Sequence, residues 1–166
     1  MNKKTLLLAV VLTAVLLFVS LPPVSAEPGA IECDLDITYD KHAPGQWYWL
    51  GEVSGPDCSV AGEIAFYAVP EEYSFAGKTV HFVENFVITP YSGGKIFGKN
   101  YGVWTLSTFK YRANGWVLDA SPEWQHLIGY KYHEMGVTST DTSNTPPDPI
   151  YAPGGWAILV PAKRAP

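Results

Sequence analysis

Apolar and polar residues alternate singly over much of this chain, which is the period of a β-strand with one wet face. From Ile31 to Tyr39 the residues Ile31, Cys33, Leu35, Ile37 and Tyr39 fall on one side, and Glu32, Asp34, Asp36 and Thr38 on the other. The segment predicts a half-buried first strand. Residues 46–53 predict a second, aromatic on both faces. Residues 61–69 predict a third, ended by Pro70, and residues 71–77 a loop or short edge. From Lys78 to Thr89 the positions Val80, Phe82, Glu84, Phe86 and Ile88 face Thr79, His81, Val83, Asn85 and Val87, so one face is apolar apart from Glu84.

Residues 94–136 are crowded with aromatic and β-branched side chains and interrupted by single glycines, with no 3.6-residue period. Such glycines mark bends or close backbone approaches, as at the corners of a small barrel. Ile96, Gly98, Asn100, Gly102, Trp104 and Leu106 alternate large and small on a side free of charge, whereas Lys95 and Lys99 mark the other side as wet. Asn114-Gly115 carries the strongest short signal for a hairpin turn. The competing reading is one bent strand from Phe109 to Ala120, favoured because turn signals already stand at Ser107-Thr108 and Ser121-Pro122. Residues 123–136 then predict a strand with Trp124, His126, Ile128, Tyr130, Tyr132 and Glu134 on one side. Residues 137–155 predict a long Ser/Thr/Pro-rich loop, a lid or an unstructured segment, and residues 156–160 a last strand. About eight strands without a helix define an all-β chain: a single-domain antiparallel eight-stranded β-barrel, with a two-sheet β-sandwich as the alternative.

The first 26 residues stand apart from this pattern. Lys3 and Lys4 precede an apolar run from Leu6 to Leu21, and Val24-Ser25-Ala26 supplies small residues where a signal peptidase cuts. The run is short for a membrane span, so the segment reads as a secretory signal peptide, with an uncleaved anchor as the competing reading. Residues 27–166 form the predicted domain, without a membrane span once the signal is removed. The signal carries two of the eleven basic residues and none of the sixteen acidic ones, which leaves the remainder at −7. With no Lys/Arg cluster along the sequence, that charge argues against nucleic acid as a partner. Cys33 and Cys58 are the only cysteines. In an exported chain they read as one disulfide, against two free thiols or half a metal site.

The glycine-punctuated segments Lys95–Trp104, Arg112–Val117 and Leu127–Gly129 resemble the hairpins of allene oxide cyclase and dirigent-like β-barrel proteins, which belong among the calycin-like barrels. The resemblance covers residues 80 to 136. It implies an eight-stranded barrel whose mouth receives an apolar organic molecule without metal, nucleotide or other cofactor. No functional position of those families maps residue by residue onto this chain.

The candidate chemistry centres on Glu84. A carboxylate between Phe82 and Phe86 must be paired, protonated or aimed into a wet cavity, and Arg112 is a possible structural partner. Glu134, on a face with His126, Tyr130 and Tyr132, is the second candidate acid or base, and two such carboxyls in one cavity would also suit glycoside hydrolysis. His42, His81, His126 and His133 lack the spacing of a metal site, and no nucleophile elbow or phosphate loop occurs.

The leading expectation is a secreted, extracytoplasmic barrel that binds a small, mostly apolar or aromatic ligand. Phe82, Trp104, Trp124, Tyr130 and Tyr132 would line its interior, and Glu84, Asn100 and His126 would orient the ligand. A cofactor-free isomerase or cyclase using Glu84 or Glu134 is the enzymatic alternative. An envelope-associated carbohydrate-binding module that presents exposed aromatics, such as Trp47, Tyr48 and Trp49, is the third.

Overall fold

A computed structural model describes residues 29–43, 46–141 and 148–162. The proposed signal peptide therefore lies outside the described residues. Ten strands form one antiparallel sheet: β1 (Ile31–Ala43), β2 (Gln46–Ser54), β3 (Gly62–Ala68), β4 (Ser74–Ala76), β5 (Thr79–Pro90), β6 (Ile96–Thr105), β7 (Lys110–Ala120), β8 (Lys131–Val137), β9 (Ser139–Asp141) and β10 (Asp148–Val160). Eight of them run in the order β1-β2-β3-β5-β6-β7-β8-β10, and β10 pairs back onto β1, which closes a barrel. β4 attaches to β5 and β9 to β10 at one end. The hydrophobic alternation of each strand thereby points at one shared interior, and no edge of the eight-strand ring is left bare.

The pairing is strongly staggered. The row that begins at Pro90 passes through Gly62, Val53, Leu35 and Gly155. It continues at Gly136, one step past the Trp156–Met135 pair, and through Tyr111 and Trp104 returns to β5 at Val80. Tilted strands of this kind leave an interior just wide enough for side chains.

β7 runs unbroken through Asn114-Gly115, as the bent-strand reading expects. Gly115 is there for closeness: a Cβ on it would strike the carbonyl of Lys99 on β6. Leu118 is the extra residue of a bulge opposite Phe97 and Gly98, and it bends the strand.

Two expectations require correction. The strand predicted over 123–136 begins only at Lys131, because Pro122–Leu127 turns as a 3-10 helix with Pro122 at its first position. The loop predicted over 137–155 is largely strand: β9 covers 139–141, and β10 starts at Asp148. Pro149 is tolerated near the beginning of β10, where the pairing is irregular.

Cys33 and Cys58 form a disulfide, with Cα atoms 4.8 Å apart, that ties β1 to the β2–β3 connection. The same end is filled by Val60 from that connection and Leu127 from the 3-10 helix, both fully buried. Among the described residues no helix is long and apolar enough to cross a membrane.

Candidate functional site

Aromatic rings occupy the barrel interior over glycines on the neighbouring strands. Phe82 covers Gly102, Phe86 covers Gly98, and the Tyr111 hydroxyl lies against Gly136 and Gly155, so that a Cβ at any of the four would meet a ring or a phenol. This is the physical content of the large–small alternation along residues 96–106. Tyr132 stacks against Phe86 with ring centroids 4.3 Å apart. Below them, a void of about 10 Å³ among Ile31, Val53, Val60, Ile88 and Tyr132 has room for at most one water and is apolar throughout.

A polar belt crosses this apolar interior. Glu84 on β5 stands opposite Asn100 on β6, Asn100 opposite Gly115 on β7, and Gly115 opposite Tyr132 on β8. The missing side chain at Gly115 leaves the Asn100 amide free to reach across β7. Asn100 Nδ2 donates to Glu134 Oε1 at 3.0 Å, and the Tyr132 hydroxyl donates to Glu134 Oε2 at 2.6 Å. The other carboxyl, Glu84, accepts from the Tyr73 hydroxyl at 3.1 Å through Oε1 and also feels the Asn100 amide. Tyr73 follows the 3-10 turn Pro70–Glu72 and reaches in from the end opposite the Leu127 plug. Arg112, the partner considered for Glu84, is exposed on the outer wall.

All three central groups are buried: Glu84 at 6% exposure, Asn100 at 0% and Glu134 at 3%. Burial pushes the Glu84 carboxyl up to about 7, against the smaller opposing pull of the Tyr73 and Asn100 hydrogen bonds. Burial likewise lifts Glu134 to about 8. The nearby Glu84 charge adds to the rise, and the Tyr132 hydrogen bond opposes it. The two carboxyls thus hold protons at pH values where an exposed glutamate has lost its own. Burial and the same carboxylates also raise the hydroxyls of Tyr111 and Tyr132.

Two buried polar atoms, Asn100 Oδ1 in the belt and the Tyr111 hydroxyl of the Trp104 row, have no hydrogen-bond partner among the described residues. Above the belt the interior is walled by Phe82 and by Trp104, whose Nε1 donates to Thr138 Oγ1 at 3.0 Å. Thr138 in turn holds the carbonyl of Phe109, which takes the left-handed backbone conformation with φ 56° in the β6–β7 turn.

Glu84, Glu134, Phe82, Asn100, Trp104 and Tyr132 are therefore brought into one interior, and Tyr130 is buried at the plugged end. Trp124 and His126 are not brought in. Both sit on the 3-10 helix outside the barrel, where Trp124 Nε1 donates to the Gly93 carbonyl at 2.9 Å and the His126 ring lies 6.1 Å from that of Trp124. Tyr73 and Tyr111 join these residues, and the sequence signals the two unequally. The alternation Tyr111, Ala113, Gly115, Val117 marks Tyr111 as inward, whereas Tyr73, in a segment without alternation, offers no such sign. Among the described residues no group of three or more metal-ligating side chains converges.

Comparison with protein-family models, with curated proteins and with solved structures found no match for this chain.

Proposed function

We propose that this chain is an exported β-barrel that receives a small, mostly apolar molecule with one or two hydrogen-bonding groups. One observation carries the reading: Asn100 Oδ1 and the Tyr111 hydroxyl are buried without a hydrogen-bond partner among the described residues, in an interior whose two carboxyls are both hydrogen-bonded. A buried polar atom left unsatisfied costs about 1–3 kcal/mol, and a ligand with an oxygen or nitrogen at that place removes the cost. The molecule sits above Glu84, among Phe82, Trp104 and Tyr111, away from the end filled by Leu127 and Val60. Export is supported by the signal-like leader and by the disulfide, which persists in an oxidising compartment. The test is native mass spectrometry of protein purified gently from the extracytoplasmic fraction. A stoichiometric organic adduct that is lost in Asn100→Leu and Tyr111→Phe supports the reading. A bare chain that binds no apolar alcohol or ketone, followed by the tryptophan fluorescence that Trp104→Phe removes, overturns it.

A second reading is cofactor-free isomerisation or cyclisation in the same place, and the Glu84 carboxyl favours it. An acid that titrates at about 7 is matched to moving a proton at neutral pH, and the Asn100 amide stands ready to hold developing negative charge. The resemblance to allene oxide cyclase and dirigent-like barrels agrees with this kind of chemistry. Here Glu84→Gln abolishes turnover and leaves binding intact, whereas unchanged turnover removes Glu84 from the mechanism.

A further inference from the structure

The basic residues are scattered along the sequence, and the strand register gathers them. On the outer wall of β6, β7 and β8, Lys99, Trp116 and Lys131 form one row and Tyr101, Asn114 and His133 the next. Val103, Arg112 and Met135 follow, then Thr105, Lys110 and Val137. None of these twelve positions is a carboxylate. Glu72 reaches over from the β3–β4 connection to Lys99 at 3.0 Å, but no described carboxylate pairs with Lys110, Arg112 or Lys131. Apolar area lies between the cations: Tyr101 is 47%, Trp116 46% and Met135 52% exposed. With strands about 4.8 Å apart and alternate residues roughly 6.7 Å apart, the patch measures about 10 by 20 Å.

The opposite wall has the opposite sign. Asp36, Glu52 and Glu63 stand side by side in one row across β1, β2 and β3, and Glu32 and Asp34 extend it along β1. All five are exposed, and no Lys or Arg faces outward among residues 32–38 of β1, 48–54 of β2 or 63–67 of β3. Asp36 accepts the Gly154 N–H at 2.7 Å and Glu52 accepts from the Tyr91 hydroxyl, but no described cation lies among the three carboxylates. Like charges directly across a sheet repel, so the row favours a cationic partner. In the ring of eight strands β2 lies diametrically across from β7.

We propose that these two walls bind each other between copies of this chain, the β1–β3 wall of one molecule seated on the β6–β8 wall of the next. The charges name the occupant, since the chain itself carries the complement of each wall. Exposed ion pairs contribute little singly. The contact therefore needs Trp116, Tyr101 and Met135 as its desolvated centre, with Arg112 and Lys131 against Glu52 and Glu63 setting register and partner. Such a contact joins unlike surfaces and leaves one free wall at each end, so it propagates into open chains unless the rotation closes a ring.

Sedimentation velocity of protein purified from the extracytoplasmic fraction tests this. At low salt the weight-average mass should climb with concentration beyond a dimer, and it should fall to that of the monomer at high salt. Arg112→Glu with Lys131→Glu on one wall, or Glu52→Lys with Glu63→Lys on the other, should weaken association by about tenfold or more. Mixing the two double variants should restore a complex, because each keeps one native wall that fits the other's. A monomer at every concentration in low salt overturns the proposal, as does association indifferent to charge reversal or a mixture that stays monomeric. A wall that instead binds heparin or phosphatidylglycerol vesicles while the chain stays monomeric assigns it to an anionic glycan or lipid and likewise overturns self-association.

Discussion

The phenol of Tyr132 donates a 2.6 Å hydrogen bond to the carboxyl of Glu134 two residues further along the same strand. Both side chains point into the barrel because a strand repeats every two residues. The bond turns a property of one strand into a property of the interior, since it orients the carboxyl that also receives the Asn100 amide from β6. Tyr132→Phe keeps the ring on Phe86 and removes only the donor. It is expected to destabilise the fold by about 1–3 kcal/mol and to move the Glu134 titration further upward. Urea denaturation measures the first effect and carboxyl-carbon NMR the second.

The buried acids make stability depend on pH in a direction unusual for a carboxyl. Glu84 and Glu134 titrate at about 7 and about 8 in the folded chain, above the 4.5 of an ordinary glutamate. Between those values the folded state binds more protons than the unfolded one, so stability is full below about pH 4.5 as far as these groups are concerned and falls as pH rises to about 8. Glu84 alone accounts for roughly 3 kcal/mol across its window. Melting temperatures from pH 5 to 9 should therefore decline, and Glu84→Gln with Glu134→Gln should flatten the decline. A wild-type melting curve that rises over that range excludes the protonated belt.

Gly102 gives Phe82 its seat, and an added methyl would enter the ring. Gly102→Ala should destabilise by about 1–3 kcal/mol through overpacking. Phe82→Leu should recover part of that loss in the double variant, because residues in contact couple. Additive losses in a thermal-melt cycle would show that the ring is not seated there.

The Cys33–Cys58 bridge closes a loop of 25 residues. Reduction should lower stability by about 3 kcal/mol. It should also raise proteolysis in the β2–β3 connection, because Val60 and the bridge fill the same end of the barrel. Limited proteolysis with and without reductant gives the comparison.

Much of this molecule is visible before any coordinates. Strict alternation locates β1 and β5, the large–small pattern of residues 96–106 foretells rings over glycines, and Glu84 declares itself by interrupting an apolar face. What stays hidden depends on register or on local turn chemistry. Nothing in the alternation of residues 124–130 distinguishes a strand from the 3-10 turn that carries Trp124 and His126 away from the interior. The threonine- and proline-rich composition of residues 138–149 masks β9 and the beginning of β10. Asn100 and Glu134 lie 34 residues apart and meet only because the pairing of β6, β7 and β8 brings them together on either side of β7. The basic wall is invisible for the same reason: Lys99, Arg112 and Lys131 become neighbours only once three strands are aligned.

Closure of the ring joins Ile31–Thr38 to Tyr151–Leu159, segments more than a hundred residues apart. Among the described strands the seam is the last to become possible during synthesis, because β10 follows all the others along the chain. Until then β1 and β10 both carry open backbone edges, which are templates for stray pairing, and contacts this distant fold slowly. Production of the protein is thus expected to be governed by how long the two edges wait for each other, and a holding chaperone during synthesis should raise yield more than any change that deepens the finished core.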